Sequence, residues 1–306
     1  KQISFQKFLS ILFILYCCIF ILFIIVNNNK GFKERFEKQF YQFSINFNIK
    51  ELEEETSSYK NKLREQNNFV YKDRIKILIV GDSVAIDLQM AFDQNKKFFE
   101  SYEFREYYFK PENLFENNEE NSKNVKDLIN SQLFLDSDII MLSSLYNEYE
   151  TKFSNKNIIF LLNEIAKKND KLLVITGNNP VFEDSKSINP LLSILLKNKE
   201  KNLSEKELDK IYFQKLSRKF SNFSKKIKNF STELDLIYLD KFDYSCDIKF
   251  KSCSSLTDKG NLIYFDGIHY TIKGAAYFGK KMHEIGWLRS IDNYFKINKI
   301  NKINYQ

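Results

Sequence analysis

With 306 residues, 43% of them hydrophobic and 28% charged, the chain can bury the core of one large domain and still carry accessory segments. Its 47 Lys and Arg against 40 Asp and Glu leave a net charge of +7, yet the basic residues are scattered among acids and form no block interleaved with aromatics. That pattern argues against a nucleic-acid partner and describes a solvated surface.

The first segment departs from globular sequence. Phe8–Asn29 carries no charge, and FLSILFILYCCIFILFIIV (Phe8–Val26) is long enough as a helix to cross a hydrocarbon core of about 30 Å. Large aliphatic residues run to its edge, unlike the small-residue end of a cleaved signal peptide. Residues 1–27 are therefore expected to be a transmembrane anchor in the lipid bilayer. Its orientation has two conflicting indicators. Lys30, Lys33, Arg35 and Lys38 outnumber Lys1 and Lys7, which favours the C-terminal side inside. Cys246 and Cys253 lie seven apart in one loop and suit a local disulfide, with Cα atoms about 4.4–6.8 Å apart. Such a bond persists only in an oxidising compartment. Two cysteines without paired histidines or further cysteines make a poor zinc site, and Cys17 and Cys18 read as small hydrophobes of the anchor. The expectation taken forward is an extracytoplasmic domain, periplasmic or at the cell surface.

Residues 28–72 place Phe32, Phe36, Phe40, Phe43 and Phe47 at helical spacing before turning polar at Glu51–Glu55 and Lys60–Arg64. A stalk or linker, a helix lying on the membrane, a face for a partner helix and a helix packed on its own domain all fit this pattern. From Arg74 onward the pattern alternates. Short apolar strands are expected at KILIV (Lys76–Val80), SDIIML (Ser137–Leu142), KLLVIT (Lys171–Thr176) and LDLIYL (Leu234–Leu239). Amphipathic helices separate them, one a long helix bearing Leu208, Ile211, Tyr212, Leu216, Phe223 and Ile227, and a last helix begins near Thr271. Residues 73–306 thus read as an α/β domain of three α/β/α layers around a parallel sheet. In such sheets chemistry gathers at the carboxyl ends of the strands.

Gly81-Asp82-Ser83 closes the first strand at the entrance to a helix, so Ser83 is either a helix cap or a nucleophile. A serine nucleophile needs a base, usually histidine near neutral pH. The chain has two histidines. His283 lies beside Glu284 in the last helix and reads as a surface residue. His269 ends YFDGIHYT (Tyr264–Thr271), three residues after Asp266, whose carboxylate can fix the imidazole tautomer and stabilise its protonated form. Asp82 reads as a stabiliser of the turn and not as a base.

Gly-Asp-Ser after the first strand, combined with Asp-x-x-His before the last helix, resembles the SGNH (GDSL-type) hydrolase superfamily. DIIMLSSLYNEY (Asp138–Tyr149), KLLVITGNNPVF (Lys171–Phe182) and the run Cys246–Met282 follow in the same order. The cysteine pair and Gly274-Ala275 are similar to the SGNH domains fused to multi-helix membrane acyltransferases that O-acetylate bacterial surface polysaccharides. The resemblance spans about Ile75–Leu288. It implies an SGNH/flavodoxin-like fold, a triad of Ser83, His269 and Asp266, and no metal or organic cofactor. It also implies an acylated or acyl-accepting glycan as substrate. Where the fused relatives carry a whole membrane acyltransferase, this chain has one apolar helix, so a separate multi-helix membrane partner would supply the acyl group.

The superfamily's Gly-x-Asn-Asp oxyanion donors are absent. No glycine lies between Ser83 and Gly177, and the corresponding strand ends in Ser143-Ser144-Leu145-Tyr146-Asn147. The Ser83 N–H is then the expected donor, with Ser143, Ser144, Asn178 and Asn179 as candidates for the remainder. The function implied is O-acetyl transfer to a cell-envelope polysaccharide. The same residues would serve a carbohydrate O-acetylesterase, and a non-catalytic glycan-binding or assembly subunit is the rival from another class.

Overall fold

The computed structural model describes residues 5–28, 48–109, 119–146, 155–183, 189–198 and 203–304. The chain divides into two units, residues 1–45 and 46–306. In the first, helix α1 runs from Phe5 to Asn28, with side chains described from Phe13 to Val26. No helix among the described residues is long and apolar enough to cross a membrane. The span expected for residues 1–27 is thus not found among the described residues. The phenylalanine run from Phe32 to Phe47 lies outside the described residues.

The second unit contains α2 (Ile49–Arg64), β1 (Ile75–Gly81), α3 (Ser83–Asp93), β2 (Tyr102–Tyr108), α4 (Glu119–Asn130), α5 (Gln132–Asp136), β3 (Ile139–Leu142), α6 (Asn155–Lys168) and β4 (Leu172–Thr176). It continues through α7 (Pro190–Lys197), α8 (Glu205–Gln214), α9 (Arg218–Glu233), β5 (Ile237–Leu239) and α10 (Phe242–Ser245). A two-stranded ribbon of β6 (Cys246–Asp247) and β7 (Ser252–Cys253) follows, then α11 (Ile272–Glu284) and α12 (Arg289–Asn304).

Strands β1 to β5 form one parallel sheet in the order β2-β1-β3-β4-β5. Its strands are near-continuous runs of Ile, Leu and Val because both faces are covered. Leu78, Val80, Ile140, Leu142 and Ile175 pack with Leu128, Phe134, Ile159, Leu162 and Ile227 from α4, α5, α6 and α9. Strand alternation sends Ile77, Ile79, Ile139 and Met141, all buried, to the opposite face. There α3 packs on β1 and β2, and α11 packs on α3. Asn95 fastens that second layer, its side-chain amide donating to the carbonyls of Ala91 and Ala276. Three layers result.

Two elements differ from the sequence reading. The edge strand β2 was not expected, since YEFREYY carries three charges in seven residues. Two of those are buried carboxylates with partners: Glu103 accepts from the N–H groups of Val70 and Tyr71 and pairs with Arg105, while Glu106 faces Arg64. The single long helix is in fact α8 and α9. Leu216 leaves the helical path to bridge Phe182, and the Ser217 N–H donates to Val181 O. A capping box of Ser204 and Glu207 starts α8.

Helix α2 is packed on its own domain, one of the options the sequence left open. Lys60 Nζ lies 2.6 Å from Asp87 Oδ1 of α3, with the carboxylate wholly buried. Arg64 reaches Glu106 at 3.5 Å, and the Tyr59 hydroxyl donates to Asp93. Burial pushes the Glu106 carboxyl up to about 7, against the pull of Arg64 and Lys60.

Removing one member of a buried ion pair leaves the other charge stranded, at a cost of about 3–5 kcal/mol, whereas replacing both by apolar groups is close to neutral. Lys60→Met should therefore lower the unfolding free energy by roughly that amount, and the double variant Lys60→Met/Asp87→Leu should recover most of it. Urea denaturation of the two proteins checks this. Equal midpoints for Lys60→Met and wild type would show that α2 does not hold Asp87.

Candidate active site

The chain leaves β1 towards β2 on one side and returns to β3 on the other, so the carboxyl ends of β1 and β3 form a topological switch point. Backbones meet closely there. A Cβ added to Gly81 would stand 1.8 Å from the carbonyl oxygen of Ser143, so only glycine fits. Asp82 caps α3 and ties the two strand ends together. Its Oδ1 accepts from the Val84 N–H at 3.0 Å, and its Oδ2 accepts from the Ser144 hydroxyl at 2.7 Å and the Leu145 N–H at 2.9 Å. With capping supplied by Asp82, the Ser83 hydroxyl is not needed as a cap. Ser83 is the exposed first residue of α3, where a backbone N–H has no acceptor within the helix and meets the positive end of its dipole.

The other half of the site is the turn before α11. Tyr264 bridges Tyr270, and the Phe265 N–H donates to His269 O, folding Asp266 back on His269. Asp266 Oδ1 accepts from the N–H groups of Ile268 and His269, each at 2.6 Å. Its Oδ2 lies 2.6 Å from His269 Nδ1, and His269 Nε2 lies 2.8 Å from Ser83 Oγ. The turn is pressed against the loop after β4: Phe182 N–H donates to Gly267 O, and a Cβ on Gly267 would come within 2.6 Å of Phe182 O.

The electrostatics follow from this packing. Burial favours the neutral form of His269, but the hydrogen bond to Asp266 and the negative charges of Asp87 and Asp266 outweigh it, against Lys60. The imidazole is left above the ordinary histidine value. For Asp266 burial works upward, and the hydrogen bond and charge of His269 with two backbone N–H groups hold the carboxyl below the usual aspartate range. The Phe265 ring stacks on the imidazole at 5.7 Å, and Lys60 Nζ lies 5.4 Å from the centre of that ring.

The structure brings Ser83, Asp266 and His269 into one hydrogen-bonded line. It does not bring the other expected oxyanion donors to the surface. Ser143 is buried and accepts from Lys241 Nζ at 2.9 Å, and Ser144 is committed to Asp82. Asn178 exchanges hydrogen bonds with the backbone of Tyr146, and Asn179 donates to Ile268 O and accepts from the Tyr270 hydroxyl. These four side chains brace the loops around the site, so the Ser83 N–H is the expected donor that remains open to a substrate. Sequence reasoning missed Lys60, Asp87 and Lys241. Burial pushes the Lys241 ammonium down to about 8, with Asp82, Asp87 and Asp240 opposing. The one available signal was Asp87 itself, an acid four residues after Ser83 on the face of α3 that turns inward.

Cys246 and Cys253 are joined, as expected from their spacing. Their Cα atoms are 4.0 Å apart, closer than anticipated, because the two stand directly opposite each other on the antiparallel β6–β7 ribbon.

Among curated proteins no sequence matches the chain. Among solved structures, the periplasmic domain of a lipopolysaccharide acetyltransferase from Salmonella ser. Paratyphi A is similar, with a TM-score of 0.55 at 16% identity, covering 74% of this chain and 94% of that one. A GDSL-like lipase from Bacteroides thetaiotaomicron has a TM-score of 0.42 at 12% identity, with 77% and 98% covered. At such identities the first of these likenesses concerns the fold alone. Residues 54–284 match the family described as "SGNH domain (fused to AT3 domains)", which is most of the sequence. The chain belongs to that SGNH family.

Proposed function

We propose that this protein is a membrane-anchored, extracytoplasmic serine acyl-transfer enzyme: an O-acetyltransferase that modifies a cell-envelope polysaccharide. A separate multi-helix membrane protein supplies its acyl group. The observation that carries the reading is the line from Ser83 Oγ through His269 to Asp266, with contacts of 2.8 and 2.6 Å.

In this reading Ser83 Oγ attacks an acyl carbonyl as His269 Nε2 takes its proton, and Asp266 holds Nδ1–H and stabilises the imidazolium. The tetrahedral oxyanion faces the Ser83 N–H at the start of α3. His269 then protonates the departing group, leaving an acyl-serine. A sugar hydroxyl that gives its proton to His269 attacks next, releasing the acylated glycan and free Ser83. The family description, with its fusion to AT3 domains, supports a membrane acyl-donor partner, and the Salmonella neighbour's lipopolysaccharide acetyltransferase supports a glycan acceptor. The uncharged run Phe8–Asn29 supports an anchor, and the Cys246–Cys253 bond supports an oxidising compartment.

The esterase reading has one observation in its favour: Ser83 is exposed, so water reaches the acyl-serine. Product analysis with and without an acceptor glycan chooses between the two.

Ser83→Ala and His269→Ala should each abolish turnover of an acetyl ester while the fold survives. The double variant should be little worse than either, since triad members act as a unit. If Ser83→Ala cells keep normal glycan acetylation while deletion of the whole chain removes it, the protein is an assembly subunit. A pH profile adds a signed test. The base works unprotonated, so kcat/KM should rise with pH through a midpoint above histidine's usual value of about 6.5. Asp266→Asn removes a partner that raises the imidazole, so its midpoint should move to lower pH and its rate should fall by about 10⁴. A midpoint unmoved by that change would remove Asp266 from the mechanism.

Compartment has its own test. A membrane-impermeant thiol reagent applied to intact cells should label Cys246 and Cys253 only after reduction. Labelling without reductant, in lysates alone, would put the domain in the cytoplasm.

A further inference from the structure

A second feature that the acyl-transfer chemistry does not use is an open cleft of about 980 Å³ between α8, α9 and the β6–β7 ribbon. Its lining is linked to the turn of Asp266 and His269 through Phe182. Leu216, which lines it, bridges Phe182, and Phe182 is hydrogen-bonded to Gly267, the residue after Asp266.

Four exposed cations line this cleft: Lys210 from α8, Arg218 and Lys225 from α9, and Lys251 from the ribbon. None of the four forms an ion pair with a described residue. Among the described residues of the lining the one acid is Asp240, whose Oδ1 already accepts from the Phe242 N–H and whose carboxyl burial holds above the usual range. Arg218, Asn222 and Lys225 are spaced four and three apart, so one face of α9 presents two cations and an amide in a row. The opposite wall is apolar. Phe250 is 64% exposed and Ile248 56% exposed, on a ribbon whose ends the disulfide fixes. Large apolar side chains held open to solvent mark a contact surface. Aromatic walls combined with a few polar groups are the composition of a ligand site. Unpaired Arg and Lys select anions, and Arg grips carboxylate or phosphate with two parallel N–H donors.

We infer that this cleft binds the acceptor polysaccharide and selects an anionic one, with acidic groups of the glycan on Arg218 and Lys225 and a sugar face against Phe250. The inference rests on the acyl-transfer reading for what it calls the acceptor, and binding is measured separately from chemistry. Carboxylate and phosphate are the two possible sources of the charge.

The experiment titrates the full-length Ser83→Ala chain, which turns nothing over, with three probes by isothermal titration calorimetry. These are a galacturonic acid heptamer, a phosphomannan fragment of similar length and neutral maltoheptaose. At least one charged probe should bind ten-fold or more tighter than the neutral one, and the stronger of the two names the anion. Raising the salt should erase the difference. Adding Arg218→Glu and Lys225→Glu, both exposed and unpaired, should remove the advantage at an unchanged melting temperature. Phe250→Ala should weaken the charged and neutral probes alike. Equal binding of all three probes, no binding of any, or an advantage that survives the charge reversal would overturn the inference. Hydrolysis of p-nitrophenyl acetate by the wild-type chain tests the triad without the cleft, so the two readings fail separately.

Discussion

Gly81 and Ser143 meet backbone to backbone where the first and third strands part, and Asp82 closes the gap with three accepted hydrogen bonds. The geometry of the site depends on that closure. Because Asp82 caps α3 and engages the β3 loop at the same time, the next residue is left at the head of the helix with its hydroxyl free to meet His269. The closure also has an electrostatic side. Asp82 and the buried Asp87 are carboxylates behind the site, and Lys60 and the buried Lys241 are the ammonium groups set among them. Charges in a low-dielectric interior are costly unless paired, so each sign is held there by the other. Such a cluster resists rearrangement, which keeps Ser83 and His269 at hydrogen-bonding distance without substrate.

Much of this was legible in the sequence, for a physical reason. β1, β3 and β4 are buried on both faces and therefore appear as unbroken apolar runs, and the turns that end them need glycine or a capping acid, which punctuates the chain visibly. The hydrogen-bonded line of Ser83, His269 and Asp266 could be read because Asp266 and His269 are local and Gly-Asp-Ser is short. β2 could not be read, since an edge strand with Glu103, Arg105 and Glu106 loses the apolar signature, and its buried acids meet partners distant in sequence, Val70 and Tyr71 for Glu103 and Arg64 for Glu106. The break between α8 and α9 was hidden for a similar reason. Leu216 keeps the apolar rhythm of a helix, but a bridge to Phe182 takes it out of the helix. The oxyanion candidates failed most instructively. Ser143, Ser144, Asn178 and Asn179 have suitable donors at suitable strand ends, and only three-dimensional contacts reveal that each is spent on the backbone or on a charged neighbour.

That shortage of donors bears on which reaction the site favours. A missing oxyanion donor costs about 10²–10³ in rate. Of the expected donors among the described residues, the Ser83 N–H at the head of the helix is the one left, with the serine exposed to water. On the proposed reading, an acyl-serine formed there has two fates, and the same His269 assists both. Water needs no binding site, and so it competes at every encounter. A sugar hydroxyl competes only if its glycan is already held beside the serine, where orientation can supply an effective concentration of about 10⁵–10⁸ M. Stronger oxyanion stabilisation would speed both fates without favouring either, because both pass through a tetrahedral intermediate on the same carbonyl. A weak oxyanion site with a strong acceptor site therefore slows hydrolysis while transfer recovers its rate from binding energy. If the cationic cleft, linked to the turn of Asp266 through Phe182, holds the acceptor as inferred, the sparse oxyanion site and the large open cleft become two halves of one partitioning problem.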